Sequence, residues 1–192
     1  MTKDSFWESL FSKKTNKIDL GLSNLKECLE WLQLKSFNTP AILIAGTNGK
    51  GSTAGFLWQL LSVSQVHVGI FSSPHLCSFK ERIQSSKIDV SDNFLQQEFF
   101  ALKKNLPKEL YDKLSFFEVT FLLALQAFSR LESEINIFEV GLGGRLDATN
   151  SLNPFISAVV SIGYDHMEYL GNDLRSIAYE KPAVMRKKCP FF

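Results

Sequence analysis

The segment Gly46-Thr47-Asn48-Gly49-Lys50-Gly51-Ser52-Thr53 combines glycines, a lysine and hydroxyl side chains in a run that can cradle phosphate. Glycines let successive backbone N–H groups converge on phosphate oxygens, a following helix adds its positive N-terminal end, and Lys50 supplies a point charge for the outer phosphates. Ser52 or Thr53 can add a hydroxyl to phosphate or metal. The run resembles a Walker A sequence with a shorter spacer. A glycine-rich run between strand and helix can also be a structural turn; the lysine favours a nucleotide site. Three other places carry groups of similar interest: Ser73-Pro74-His75, Glu139 with the GLGGRLD that follows it, and Asp165-His166.

Glu139 stands near the end of the apolar run INIFEV, where a carboxylate costs several kcal/mol to bury unless it meets a cation. That cation is either a metal ion or a side chain, with Arg145 and Lys50 the candidates. The neutral imidazole of His166 is a common metal ligand, although a lone histidine is as readily structural. His67 lies inside an apolar run and reads as structural, while His75, after Pro74, is intermediate between the two.

These groups need elements to hold them. AILIAG is a short, apolar, β-branched run that leads into the glycine segment, and Ser52 to Leu61 suits a helix. Val66 to Phe71 predicts a second strand ending at Ser72-Ser73-Pro74-His75, and the long polar segment beyond it reads as a loop. Ser91 and Asp92 look like an N-cap and a first-turn acid for a helix to about Lys104. SFFEVTFLLALQAFSRL, after Pro107, is apolar nearly all round and predicts a helix buried against a sheet. INIFEV and FISAVVSIG are continuous apolar runs of the kind found in parallel sheets covered on both faces. Upstream, Leu22, Leu25, Leu29 and Leu32 recur at helical spacing before the break at Asn38-Thr39-Pro40.

The alternation predicts an α/β fold with a mostly parallel sheet, and all four chemistry-bearing places fall beyond the C-terminal ends of its strands. One unit over residues 1–192 is expected, with 1–38 a helical lead-in and 39–192 the α/β core. Pro190-Phe191-Phe192 reads as the first residues of a further strand, which predicts that the fold is truncated.

The chain has 192 residues, 45% of them hydrophobic, enough for a real core. Its net charge of +1, from 21 basic and 20 acidic side chains, leaves no electrostatic footprint for nucleic acid or an anionic membrane. Cys28, Cys77 and Cys189 fall at no metal-ligand spacing and read as free thiols of a reducing compartment. No stretch reaches membrane-spanning length, so a cytoplasmic protein is expected.

GTNGKGST, SSPHL followed by ERI, EVGLGGRLDATN, and SIGYDHMEYLG followed by IAYEK occur here in one order. Together they closely resemble the bifunctional folylpolyglutamate synthase/dihydrofolate synthase family, a branch of the Mur ligase superfamily. The resemblance runs from about Lys17 to the last residue. It implies a P-loop domain of the Mur-ligase central-domain type, with the smaller C-terminal domain absent.

By that resemblance, Thr47, Asn48, Gly49, Lys50, Gly51, Ser52 and Thr53 hold the phosphates of ATP. Ser73 and Glu139 ligate one Mg²⁺, while His166 and Lys181, carbamylated in relatives, hold a second. A carbamate offers hard oxygen ligands where an ammonium would repel the ion. The family's pterin pocket falls on Ser115, Phe117, Asp147 and Ala148, with Phe117 against the ring and Asp147 accepting from its nitrogens. Lys181 departs from the family pattern because Pro182 follows it, and a residue before proline is pushed away from helical geometry.

The activity so implied is ligation of L-glutamate to the carboxylate of dihydropteroate or folate through an acyl phosphate, by a monomer acting on small molecules. Lys50 and Lys181 are the residues expected to serve the chemistry, and the chain alone is expected to be inactive. The alternatives are a ligase adding an amino acid to a UDP-muramyl substrate, a non-catalytic nucleotide or pteroate binding remnant, and a generic P-loop NTPase. LDATN after GLGG and the folate-type SSPHL stand against the muramyl reading.

Overall fold

Ala41–Ala45 is buried at every position and forms β1, the strand next to the centre of a five-stranded sheet. The computed structural model describes residues 3–15 and 21–192; Lys17, where the family resemblance begins, lies outside them. Two helices precede the strand, α1 (Lys3–Phe11) and α2 (Ser23–Leu32), the latter burying Leu25, Cys28 and Leu29 as its spacing requires. After β1 come α3 (Lys50–Val63), β2 (Val68–Phe71), β3 (Ile83–Ser85), α4 (Asp92–Asn105), α5 (Lys108–Lys113) and α6 (Phe116–Leu131). The chain continues through β4 (Ile135–Glu139), β5 (Ile156–Val159), α7 (Met167–Leu170) and α8 (Leu174–Glu180).

The strand order is β3-β2-β4-β1-β5, parallel throughout except for β3, which runs antiparallel to β2 at the edge. The expected mostly parallel α/β sheet is therefore observed. Side chains alternate across it, so a continuous apolar run serves both faces. Leu43, Phe71 and Phe138 face the larger core under α1, α2, α4 and α6, while Ile42, Ile44, Ile70 and Ile137 face α3. Phe138 is fully buried, with Phe121 and Phe128 edge-on at 5.7 and 5.9 Å.

Among the elements that the sequence pattern did not indicate are β3 and α5, besides α7 and α8. The polar stretch after His75, expected as a loop, contains β3, of which only Ile83 is buried. Three residues paired through Gly69↔Ser85, Ile70↔Gln84 and Phe71↔Ile83 are too short for a period to show. The six residues of α5 are mostly charged and carry no periodic signal either. The β5 run is shorter than FISAVVSIG suggests, because residues from Val160 onward turn to meet the loop after β1.

At the far edge, Phe191 bridges Ser157 in parallel, and Phe192 N–H donates to Ser157 O at 3.1 Å, as the start of a further strand would. Cys28, Cys77 and Cys189 are free thiols. Among the described residues, no helix is long and apolar enough to cross a membrane.

Phe138→Ala should lower unfolding free energy by about 3–5 kcal/mol in urea denaturation, since the hole left among fully buried rings cannot close. Phe56→Ala, on the 73% exposed side of α3, should change it by less than about 0.5 kcal/mol.

Candidate functional site

The loop leaving β1 has a backbone that only glycine accommodates at Gly46, where φ is +147° and an added Cβ would lie 2.7 Å from Val160 Cγ2. It is clamped to the segment leaving β5. Thr47 N–H donates to Ser161 O at 3.0 Å, Thr47 Oγ1 donates to Gly163 O at 3.0 Å, and Asn48 N–H donates to Ser161 Oγ at 2.8 Å. Thr47 and Asn48, expected at phosphate, thus spend these groups on shaping the loop. Gly49, at φ +84°, caps α3, and the first bond of that helix runs from Thr53 N–H to Gly49 O at 2.9 Å. The N–H groups of Lys50, Gly51 and Ser52 lie ahead of that bond, with no acceptor within the helix, and they form the positive end of its dipole.

Lys50 Nζ folds back onto its own loop, donating to Gly46 O and Thr47 O, both at 3.0 Å. Lys181 reaches the same place from α8. Its Nζ donates to Gly46 O at 3.1 Å, and the side chain is 2% exposed. Burial, and then the nearby Lys50 ammonium, hold the Lys181 pKa below the usual lysine value, with Asp165 opposing them. Despite Pro182, Lys181 has helical angles of φ −68° and ψ −47°, since the restriction before proline is a bias that surrounding packing can override. The GLGGR segment does that packing. An added Cβ on Gly144 would lie 2.6 Å from Glu180 O and 2.9 Å from Lys181 O, so only glycine lets the segment approach. Arg145 then locks the contact, its N–H donating to Glu180 O at 3.0 Å and its Nε and Nη2 to Glu180 Oε1 at 3.0 and 2.9 Å.

Arg145 is therefore not the partner of Glu139. Parallel pairing of β4 with β1 sets Ile44 opposite Glu139 at the strand ends. There Glu139 Oε2 accepts from Ser73 N–H at 3.0 Å and would be 3.4 Å from a Cβ on Gly51, so the carboxylate sits against the first turn of α3. Burial pushes its pKa above the usual carboxylate range, against the pull of the Ser73 N–H, Lys50 and Arg82. Among the described residues nothing donates to Oε1. A buried carboxylate with one oxygen unused, beside the Ser73 residue, is a donor set that fits a hard cation such as Mg²⁺.

A second metal position is less complete. His166, at φ 46° and ψ 43°, caps α7 with its Nε2 3.5 Å from Asp165 Oδ1. Lys181 faces Gly46 as an ammonium and fits a cation only once carbamylated. Among the described residues, no three or more His, Cys, Asp and Glu side chains are gathered as a metal cluster.

A cavity of about 480 Å³ opens beside this edge, lined by Ser115, Phe117, Asp147 and Ala148 and reaching Lys50, Ser73 and His166. Phe117 rests on Phe71, with ring centroids 5.5 Å apart, and on Gly141, where any Cβ would strike it at 2.5 Å. Ser115 caps α6 in a capping box with Glu118, its hydroxyl donating to Glu118 Oε2 at 2.7 Å. Asp147 is also engaged. One oxygen accepts from Gly141 and Leu142 N–H at 3.0 and 2.8 Å, the other from Thr149 N–H and Oγ1 at 2.9 and 2.6 Å. Burial raises its pKa and those four bonds oppose the rise. Four donors fill the carboxylate, so Asp147 shapes the loop that walls the cavity and has no lone pair left over for a ring nitrogen.

Sequence reasoning passed over Arg82, which also lines the cavity and whose Nε donates to His75 Nδ1 at 2.7 Å. Its signal was present as the ERI that follows SSPHL. His67, expected to be structural, bonds Ser85 Oγ at 2.7 Å through Nε2 and is buried.

No protein-family model matches the chain. The dihydrofolate synthase/folylpolyglutamate synthase of Haemophilus influenzae is 37% identical over 185 residues, covering 96% of this chain and 41% of that protein. The protein of the same name from Escherichia coli is 36% identical over 186 residues, 97% of this chain and 43% of its own length. Among solved structures, E. coli FolC in complex with DHPP and ADP superposes with a TM-score of 0.90 at 34% identity, over all of this chain and 45% of that one. A bifunctional folylpolyglutamate synthase/dihydrofolate synthase with Mn, AMPPNP and L-glutamate bound gives 0.86 at 35% identity, over 97% of this chain and 45% of that one. The chain thus spans less than half the length of the relatives it matches. On sequence and fold together, it belongs to the folylpolyglutamate synthase/dihydrofolate synthase family of the Mur ligase superfamily, matching the N-terminal part of its members.

Proposed function

We propose that this chain is the ATP- and pteroate-binding part of a cytoplasmic amide ligase that joins L-glutamate to the carboxylate of dihydropteroate or folate. The observation that carries this reading is the meeting of Lys50, Lys181, Glu139 and Ser73 at one sheet edge, opening on the cavity walled by Ser115, Phe117 and Ala148. Relatives bound to ADP with DHPP, and to AMPPNP with L-glutamate, support it.

In this reading the γ-phosphoryl group of ATP passes to the acceptor carboxylate, and the glutamate amine then displaces phosphate from the acyl phosphate. Lys50 leaves the carbonyls of Gly46 and Thr47 for phosphate oxygens, and the N–H groups opening α3 hold those oxygens in line. Glu139 and Ser73 would hold Mg²⁺, with His166 and a carbamylated Lys181 at a second ion, and the bound ions would supply positive charge against that developing on the transferred group. Phe117 and Ala148 offer an apolar surface to the pterin. The relatives extend beyond the part matched here, and in this reading the glutamate site lies in that further part, so residues 1–192 by themselves, taken as a monomer, should bind substrates and turn over negligibly.

Calorimetric titration tests the reading. The chain should bind Mg·AMPPNP, pteroate should alter that affinity, and a UDP-muramyl substrate should not; indifference to pteroate would contradict the ligase assignment. Lys50→Met should weaken Mg·AMPPNP binding by about tenfold or more, as loss of a charge-assisted contact does.

The second test uses pH. Glu139 has its pKa raised by folding, so the fold bears the cost of the charged form above the folded pKa and is relieved as pH falls to the ordinary glutamate range of about 4.3. In metal-free urea denaturation, Glu139→Gln should be more stable than the wild type at pH 7, and the gap should close towards pH 4. Added Mg²⁺ should stabilise the wild type and leave the variant unchanged.

A further inference from the structure

Arg82 is 7% exposed and lines the cavity, yet nothing assigned above uses its charge. Burying a guanidinium is strongly unfavourable unless its donors are paired. Here Nε donates to His75 Nδ1 at 2.7 Å, and the Phe116 ring lies 5.5 Å from Cζ. Among the described residues, no carboxylate forms an ion pair with Arg82, and nothing accepts from Nη1 or Nη2. Contact with His75 on one edge and with Phe116 fixes the group and leaves a planar fork of N–H donors, the shape that matches a carboxylate through two parallel bonds.

The surroundings narrow the ligand. Burial disfavours the charged form of the Glu139 carboxylate, whereas Lys50 and Arg82, which both line the cavity, favour it. Lys50 belongs to the phosphate loop. An anionic acceptor entering beside Glu139 would be repelled unless a second cation met it, and among the lining cations Lys13 already donates to Tyr111 O and Asp112 O at 2.6 and 3.2 Å. Arg82 is left.

We propose that Arg82 binds the carboxylate of the pteroate-type acceptor and orients it towards the phosphate loop. This rests on the reading that the cavity takes a pteroate, and the test separates the two. Pteroate and its uncharged carboxamide are titrated into the chain, into Arg82→Met and into Arg82→Lys, with the thermal midpoint of each variant measured alongside.

The wild type should bind pteroate about tenfold or more tighter than the carboxamide, and Arg82→Met should bring the ratio to about twofold or less with carboxamide affinity unchanged. Arg82→Lys, which keeps the charge without the fork, should fall between. An unaltered ratio in the folded Met variant, or equal weakening of both ligands, would overturn the role of Arg82 while pteroate binding stood. A wild-type ratio near one would overturn it even if Arg82→Met failed to fold. Failure of the wild type to bind either ligand would remove the pteroate reading and the Arg82 proposal together.

Discussion

Gly46 offers one carbonyl oxygen to two ammonium groups, Lys50 at 3.0 Å and Lys181 at 3.1 Å. Two like charges on one acceptor, one of them buried, is an arrangement that folding alone would not favour. Burial, with the Lys50 charge beside it, lowers the Lys181 pKa; a polyanion that drew Lys50 away, or a modification that turned Lys181 into an anion, would relieve the repulsion.

Much of the fold can be understood as holding that meeting point. Parallel β4 and β5 flank β1 and bring Glu139 and the Ser161–Gly163 segment to either side of the glycine loop. Gly144 permits, and Arg145 secures, the approach of the α8 end that carries Lys181. The fully buried Phe138 cluster packs beneath this edge, and the proposed phosphoryl transfer would depend on such positioning more than on protein nucleophiles.

The strand, glycine loop and helix were legible because each has a strong local signature: AILIA, positive-φ glycines and an apolar helix. Glu139 was legible for a different reason, as a carboxylate at the end of a buried strand. What escaped notice depends on distant partners. β3 exists through its pairing with β2, and Arg145 is claimed by Glu180, 35 positions away along the chain. The four donors that fill Asp147 come mostly from backbone N–H groups, which carry no sequence label. The helical angles of Lys181 before Pro182 likewise follow from packing on Gly144 rather than from local preference.

An amide NMR titration with Mg·AMPPNP measures the central claim most directly, since it reports where the nucleotide lands without requiring turnover. The account predicts the largest shifts at Gly49 to Thr53, with smaller ones at Ser73, Glu139 and Lys181. Shifts centred elsewhere, or none at saturating nucleotide, would contradict it.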